Sequence, residues 1–311
     1  MITISIGNFE GVHRGHAALL SAARQVADAA GPGGQVVAVT FDPLPAEVLR
    51  PGTSLPRLCE GQEKAARLRA SGADEVLTLP TSPGLLALDP AAFVARLREQ
   101  VAFEAVVEGP DFRFGRGRGG DIATLTELGR ALGFTTAVVP EVEVSLPSGP
   151  RVAARSSLVR RLLRLGRVFD ASVVLGRPYE LGGLVVPGDR QGRMLGCPTA
   201  NLDHGRLLLP GDGVYAGHAL LPDGRRCRAA ISVGCKPTFE PTPPRCEVHL
   251  LGIDLPLDHY GWPLRVQVER WIRGQLAFPA VEPLIEQMQR DLAAVDRILE
   301  LVEREPSLEA A

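Results

Sequence analysis

Ile6-Gly7-Asn8-Phe9-Glu10-Gly11-Val12-His13-Arg14-Gly15-His16 is the stretch from which the fold can be read. The apolar run Ile2–Ile6 leads into it, and helix formers fill residues 17–30 after it. Two histidines three residues apart therefore fall where a strand becomes a helix. A helix start offers N–H groups without intrahelical partners and a partial positive charge, which together suit phosphate. Gly7, Gly11 and Gly15 let the backbone come close to a ligand. The stretch predicts a strand–loop–helix that receives nucleotide phosphates. Capping or packing is the plainer alternative for a histidine pair at a helix start. Two imidazoles without a cysteine or acidic partner at ligand spacing are too few to hold zinc.

Outward from this motif the first half alternates strand and helix patterns. Residues 36–41, 75–79, 105–107 and 135–139 read as strands, and 60–70 and 121–132 as helices. Asp89 and Pro90 mark the cap and first turn of another helix running to about residue 101. Repeated β-α units predict a mostly parallel sheet covered on both faces, with ligands beyond the carboxyl ends of its strands. The histidine motif, Phe41-Asp42-Pro43 and Gly109-Pro110-Asp111 all follow strands and should converge on one edge.

The second half differs. After a basic segment, 151–167, which alone reads as a solvated helix face, short strand-like runs occupy 181–186, 214–221, 229–233, 246–251 and 264–268. Turn signals such as Pro187-Gly188-Asp189 and Pro222-Asp223-Gly224 separate them. The pattern predicts an antiparallel barrel or sandwich. A final helix carries Val281, Leu284, Ile285, Met288, Leu292, Val295, Leu299 and Val302 at helical spacing, an apolar stripe expected to be core packing.

At 311 residues the chain is long enough for two cores. A net charge of -2 gives no electrostatic case for nucleic acid or an acidic membrane surface. The five cysteines (59, 197, 227, 235, 246) are odd in number and contain no C-x-x-C pair, so neither a disulfide framework nor a zinc ribbon is expected. No leader and no spanning run is evident, and a cytoplasmic protein is expected.

Six motifs in order, Gly7 to His16, Phe41-Asp42-Pro43, Asp111-Phe112-Arg113-Phe114-Gly115, Gly196-Cys197-Pro198-Thr199-Ala200-Asn201, Pro237-Thr238-Phe239 and Glu247-Val248-His249-Leu250-Leu251, make nearly the whole chain resemble the bifunctional riboflavin kinase/FMN adenylyltransferase family, the prokaryotic FAD synthetases. The resemblance implies an α/β Rossmann-like nucleotidyltransferase domain, residues 1–168, followed by a mostly antiparallel β-barrel riboflavin kinase domain with a C-terminal helix, residues 169–311. It implies ATP-dependent phosphorylation of riboflavin to FMN, then adenylylation of FMN to FAD with release of pyrophosphate. ATP, riboflavin and FMN are the small-molecule substrates, and flavoenzymes that use FMN and FAD would be clients. His13 and His16 are the implied catalytic pair of the first half. Gly7, Asn8, Phe9, Gly15, Phe41, Asp111, Phe112, Arg113, Ser156, Ser157 and Arg160 are its implied binding residues. In the second half the resemblance makes Glu247 the general base, Gly188, Gly192 and Arg193 part of the ATP loop, and Thr199 and Asn201 the Mg2+ and ATP ligands. Hard oxygen donors of that kind suit magnesium.

The chain departs from the family pattern at several places. Glu10 stands for a usual Asp, Leu44 for a His and Leu158 for an Arg; Pro187, Cys197 and Ser232 replace a common His, Phe and Asn. A kinase with an impaired adenylyltransferase half, or a non-catalytic flavin-binding protein, are the alternatives these departures leave.

Overall fold

In the computed structural model, residues 1–52, 55–147, 149–188, 192, 195–234, 244–253 and 259–304 are described. They divide into two compact units, Met1–Val144 with Arg151–Arg155, and Ser145–Pro150 with Ser156–Ala311.

The first unit runs β1 (Ile2–Ile6), α1 (Arg14–Ala29), β2 (Gln35–Asp42), α2 (Pro45–Leu49), α3 (Gly61–Ala70), β3 (Glu75–Pro80), α4 (Pro83–Ala87), α5 (Pro90–Arg98), β4 (Ala105–Glu108), α6 (Ile122–Leu132) and β5 (Thr135–Val138). The strands form one sheet in the order β3-β2-β1-β4-β5, every pair parallel. Alternate residues serve opposite faces. Val37, Val39, Ile4, Ile6 and Val106 meet α5 and α6 through Phe93, Leu97 and Leu125. Val36, Ala38 and Val107 meet α1 and α3 through Leu20, Ala23 and Leu68. Each valine, isoleucine, leucine or phenylalanine among them contributes roughly 1.5–3 kcal/mol by leaving water, which favours apolar residues on both faces. Local signals set the helix ends. Asp89 accepts the Ala92 N–H at 2.8 Å ahead of Pro90. Asp121 accepts the Thr124 N–H at 2.9 Å, and left-handed Gly133 closes α6.

After a two-stranded ribbon, β6 (Glu143–Ser145) with β7 (Arg151–Ala153), come α7 (Ser156–Arg164) and α8 (Val168–Leu175). Then β8 (Tyr179–Val186), β9 (Ala200–Asp203), β10 (Gly213–Leu220), β11 (Arg226–Gly234), β12 (Arg245–Leu250) and β13 (Pro263–Arg273) close a barrel, and α9 (Val281–Val302) ends the fold. The barrel order is β10-β11-β12-β9-β8-β13, antiparallel throughout, which decides between the barrel and sandwich expectations. Cys246, Val248 and Leu250 of β12 are buried, and Arg245, Glu247 and His249 alternate with them on the other face.

Two expectations shift. The segment 151–167 is not a wholly solvated helix face: Val159, Leu162 and Leu163 of α7 are buried, because a helix flanked by apolar α8 can bury one stripe while its arginines stay wet. Helix α7 falls in the same compact unit as α8 and the barrel. The apolar stripe of α9 is core only in its second half. Val295 and Leu299 are buried with Ala216, whereas Leu284, Met288 and Leu292 line an open cavity and Val281 is exposed.

Candidate functional site

In the first unit, β1 delivers the chain to a loop bent at Phe9 (φ 46°), Gly11 (φ 78°) and Val12 (φ 42°). Left-handed backbone at non-glycine residues costs on the order of 1–2 kcal/mol each and persists only where the surroundings enforce it. Here burial does so, with Phe9 1% and Val12 4% exposed. The bend brings His13 to the N-cap of α1, so the helix starts at Arg14, earlier than the apolar pattern suggests. The His13 backbone N–H donates to His16 Nδ1 at 3.3 Å. A ring nitrogen that accepts cannot also carry the proton, so His16 Nε2 is the donor. The two imidazoles stack, centroids 3.6 Å apart and 20° between planes. The Phe9 ring supports His16 edge-on at 5.1 Å from within the core, rather than opening onto a pocket. Gly15 has a steric cause: a Cβ there would lie 3.0 Å from the Ala154 carbonyl oxygen and 3.1 Å from the His13 ring.

The same edge carries a cavity of about 490 Å³ lined by Gly7, Asn8, Phe41, Asp111, Phe112 and Arg113. The carboxyl ends of β1, β2 and β4 thus bring these expected residues together. Phe112 stacks on Phe114 at 5.4 Å, so the wall is aromatic. His13 and His16 are not in this wall; Gly7 and Asn8 belong both to it and to the loop that ends at the histidines.

Charged side chains buried under the loop hold it in place. The Arg57 guanidinium, 3% exposed, meets Glu47 at 2.5 Å, Asp42 at 3.4 Å and Glu10 at 3.6 Å. Glu10 also accepts the Leu58 N–H at 3.1 Å, so the longer acid is accommodated by reaching the α2–α3 connection. Leu44, in place of a histidine, is buried. Glu108, at the end of β4, is 2% exposed and accepts the Ile6 N–H at 2.5 Å and the Ser5 hydroxyl at 3.4 Å. Burial pushes its carboxyl well above the usual carboxylate range, more than these hydrogen bonds pull it down. It fills the gap between β1 and β4, where the strand order reverses and nucleotide crevices form.

The second unit has its own cavity, about 230 Å³, between the outer barrel face and α9. Glu247, Thr199, Asn201 and Gly192 all line it. Glu247 of β12 is paired across strands with Asn201 of β9 on one side and Ser232 of β11 on the other. Asn201 Oδ1 is buried with no hydrogen-bond partner among the described residues. A Cβ at Gly188 would collide with the Asn201 side chain, and one at Gly192 would lie 3.4 Å from Thr199 Oγ1 and 2.5 Å from the Cys197 carbonyl oxygen. A buried amide oxygen, a hydroxyl and a close-drawn glycine backbone are the donor set of a hard cation with a polyphosphate, so the residues fit Mg2+. No cluster of three or more His, Cys, Asp or Glu able to hold a metal occurs among the described residues.

Arg193 and Pro237-Thr238-Phe239 lie outside the described residues. Ser156, Ser157 and Arg160 open α7, which packs with the second unit. Sequence reading missed several residues of the barrel cavity. Arg273 binds Asp291 with both its Nε and Nη2 at 2.6–3.0 Å, and Gln287 donates to the same carboxylate at 2.8 Å. Gln275 donates to the Ser232 hydroxyl at 3.2 Å and the Val233 carbonyl at 2.9 Å. The one available signal was the polar break that Gln287 and Asp291 make beside the α9 stripe.

The FAD synthetase family matches residues 1–147 and the riboflavin kinase family residues 175–299. The chain is 34% identical to the bifunctional riboflavin kinase/FMN adenylyltransferase of Escherichia coli over 93% of its length and 90% of that protein's. It is 35% identical to the one from Pseudomonas fluorescens over 93% and 90%, and 29% identical to the one from Bacillus subtilis over 93% and 89%. Among solved structures, one described as a macrolide-efflux protein from Streptococcus pneumoniae superposes with a TM-score of 0.83 at 28% identity, covering 94% of this chain and 93% of that one. No helix among the described residues is long and apolar enough to cross a membrane.

Proposed function

This chain belongs to the bifunctional riboflavin kinase/FMN adenylyltransferase family, and from that premise we propose how its residues divide the two reactions. It phosphorylates riboflavin to FMN and joins FMN to the adenylyl group of a second ATP, giving FAD and pyrophosphate. The functional division is 1–168 and 169–311. The observation that carries the reading is the pairing of Glu247 with Asn201 in one cavity with Thr199.

In the barrel cavity, Glu247 takes the proton of the terminal ribityl hydroxyl as that oxygen attacks the γ-phosphorus. The P–O bond to ADP breaks as the new one forms, and Glu247 returns its proton to solvent. Thr199 and Asn201 would hold Mg2+, with Gly188 and Gly192 letting the backbone approach the phosphates and Arg193 assigned there on the resemblance. Bound Mg2+ supplies charge neutralisation to the triphosphate. Phe278, Met288 and Leu292 give the flavin ring its apolar wall, which is why the first half of the α9 stripe is not core.

In the first unit the work is positioning and charge stabilisation. His16 donates Nε2–H to the ATP phosphates beside His13 and the N–H groups of the α1 start. Gly7, Asn8 and Gly15 allow close backbone approach, Phe9 backs His16, and Phe41, Asp111, Phe112 and Arg113 receive the flavin of FMN. Ser156, Ser157 and Arg160 are assigned to phosphate on the resemblance. The FMN phosphate oxygen attacks the α-phosphorus and pyrophosphate leaves.

We place the protein in the cytoplasm, with small molecules rather than nucleic acid or membrane as its partners. The four cysteines among the described residues are free thiols, consistent with a reducing compartment. Incubation with riboflavin, ATP and Mg2+ followed by chromatography tests the reading. FMN and then FAD are expected; FMN alone would assign the kinase only, and unchanged riboflavin would refute both.

A further inference from the structure

Strand β9 pairs with β12 through Leu202, Asn201 and Ala200, opposite Cys246, Glu247 and Val248, and there the ladder stops. The preceding residues, Thr199 and Pro198, lie outside the strand. Proline has no N–H to give, so the ladder cannot continue through it. On β12, one residue beyond Val248, His249 shares the face and the cavity of Glu247. Its Nδ1 lies 2.8 Å from the Pro198 carbonyl oxygen. A carbonyl only accepts, so Nδ1 carries the ring proton. A side chain thus bonds the Pro198 carbonyl where the β9–β12 ladder has ended.

We propose that His249 is a positioning residue for phosphoryl transfer: its Nδ1–H clamps Pro198, so that Thr199 is pinned between this bond and the Ala200–Val248 pair. The clamp keeps the Thr199 hydroxyl in the cavity with Asn201 Oδ1, opposite the base. Gly192, close to the same hydroxyl, would lose its register over Thr199 if the segment swung free. The proposal rests on the reading of Thr199 and Asn201 as ligands of the metal-triphosphate. A single hydrogen bond of this kind is worth a factor of about five, and a displaced ligand considerably more.

The test compares His249→Asn, His249→Gln and His249→Ala. The Asn amide nitrogen occupies the place of Nδ1, whereas that of Gln falls one bond farther out. Two readouts are taken on the full chain: the kinase half-saturation for MgATP against that for riboflavin, and backbone hydrogen exchange over residues 195–201 without ligands. Ala and Gln are expected to raise the MgATP value about tenfold, leave the riboflavin value unchanged and speed exchange at Thr199. Asn is expected to restore both, and FAD formation from supplied FMN to be unaltered in all three. Equal behaviour of Asn and Gln, or unchanged exchange in the Ala variant, overturns the clamp. Absence of kinase activity in the unsubstituted chain would instead refute the functional reading, while the exchange comparison would still decide the bond.

Discussion

Glu247 and Asn201 face each other across adjacent antiparallel strands, so a carboxylate and a buried amide oxygen without a described partner share one cavity wall. Directly opposed residues have Cβ atoms about 5 Å apart, close enough to work on two ends of one transferred phosphoryl group. Local pairing sets this distance, independent of any hinge or loop closure.

The glycine beside Asn201 is the first point of test. Gly188→Ala would drive a methyl group into the Asn201 side chain. Steady-state kinetics should show the MgATP half-saturation rising about tenfold or more, with FMN adenylylation unchanged. Unaltered MgATP dependence would detach Asn201 from the triphosphate.

His16→Ala removes one hydrogen-bond donor from the first unit. Loss of one such donor costs about 10²–10³ in turnover. FAD formation from FMN should fall by that factor, while riboflavin phosphorylation, read on the same preparation, stays intact. His16→Gln, whose amide nitrogen sits near the place of Nε2, should recover part of the loss; His16→Asn should not.

How far these sites were legible in the chain depends on whether the signal was local. The β-α alternation, the Asp89 cap and the glycine loop after β1 could be read directly, because each lies within a few residues of the element it governs. The α1 start was misplaced because His13 is not a common N-cap and its backbone N–H donates to the His16 ring. The strand and turn pattern alone left barrel and sandwich open, because closure depends on β8 pairing with distant β13 as well as with β9, and it was the resemblance that implied the barrel. The apolar stripe of α9 gave a period but not its neighbours, so Met288 and Leu292 looked identical to Val295. Arg273 and Asp291 form their ion pair across a strand-to-helix turn that no spacing rule singles out.

Glu108 sets a pH dependence. Its folded-state carboxyl lies well above the ordinary value of 4.5, so its contribution to stability is full below that value and declines as pH rises toward the folded-state value. Glu108→Gln removes this decline. The melting temperature of Glu108→Gln relative to the unsubstituted protein should therefore climb between pH 4 and pH 8; a flat difference would mean the carboxyl is ionised in place.

Glu303, at the end of α9, should act in the opposite sense. Hydrogen bonds first from Arg228 and then from His218 hold its carboxyl down to about 2. Its contribution is present above the ordinary value of 4.5 and is lost as pH falls toward 2. Glu303→Gln should lower the melting temperature at pH 6 and have a shrinking effect at pH 3.

Glu247→Gln tests the central claim most directly, because it preserves shape and removes only the proton acceptor. The rate of FMN formation from riboflavin should fall by about 10²–10⁴, with FAD formation from supplied FMN at the unsubstituted rate. FMN formation within a few-fold of the unsubstituted protein would contradict the account.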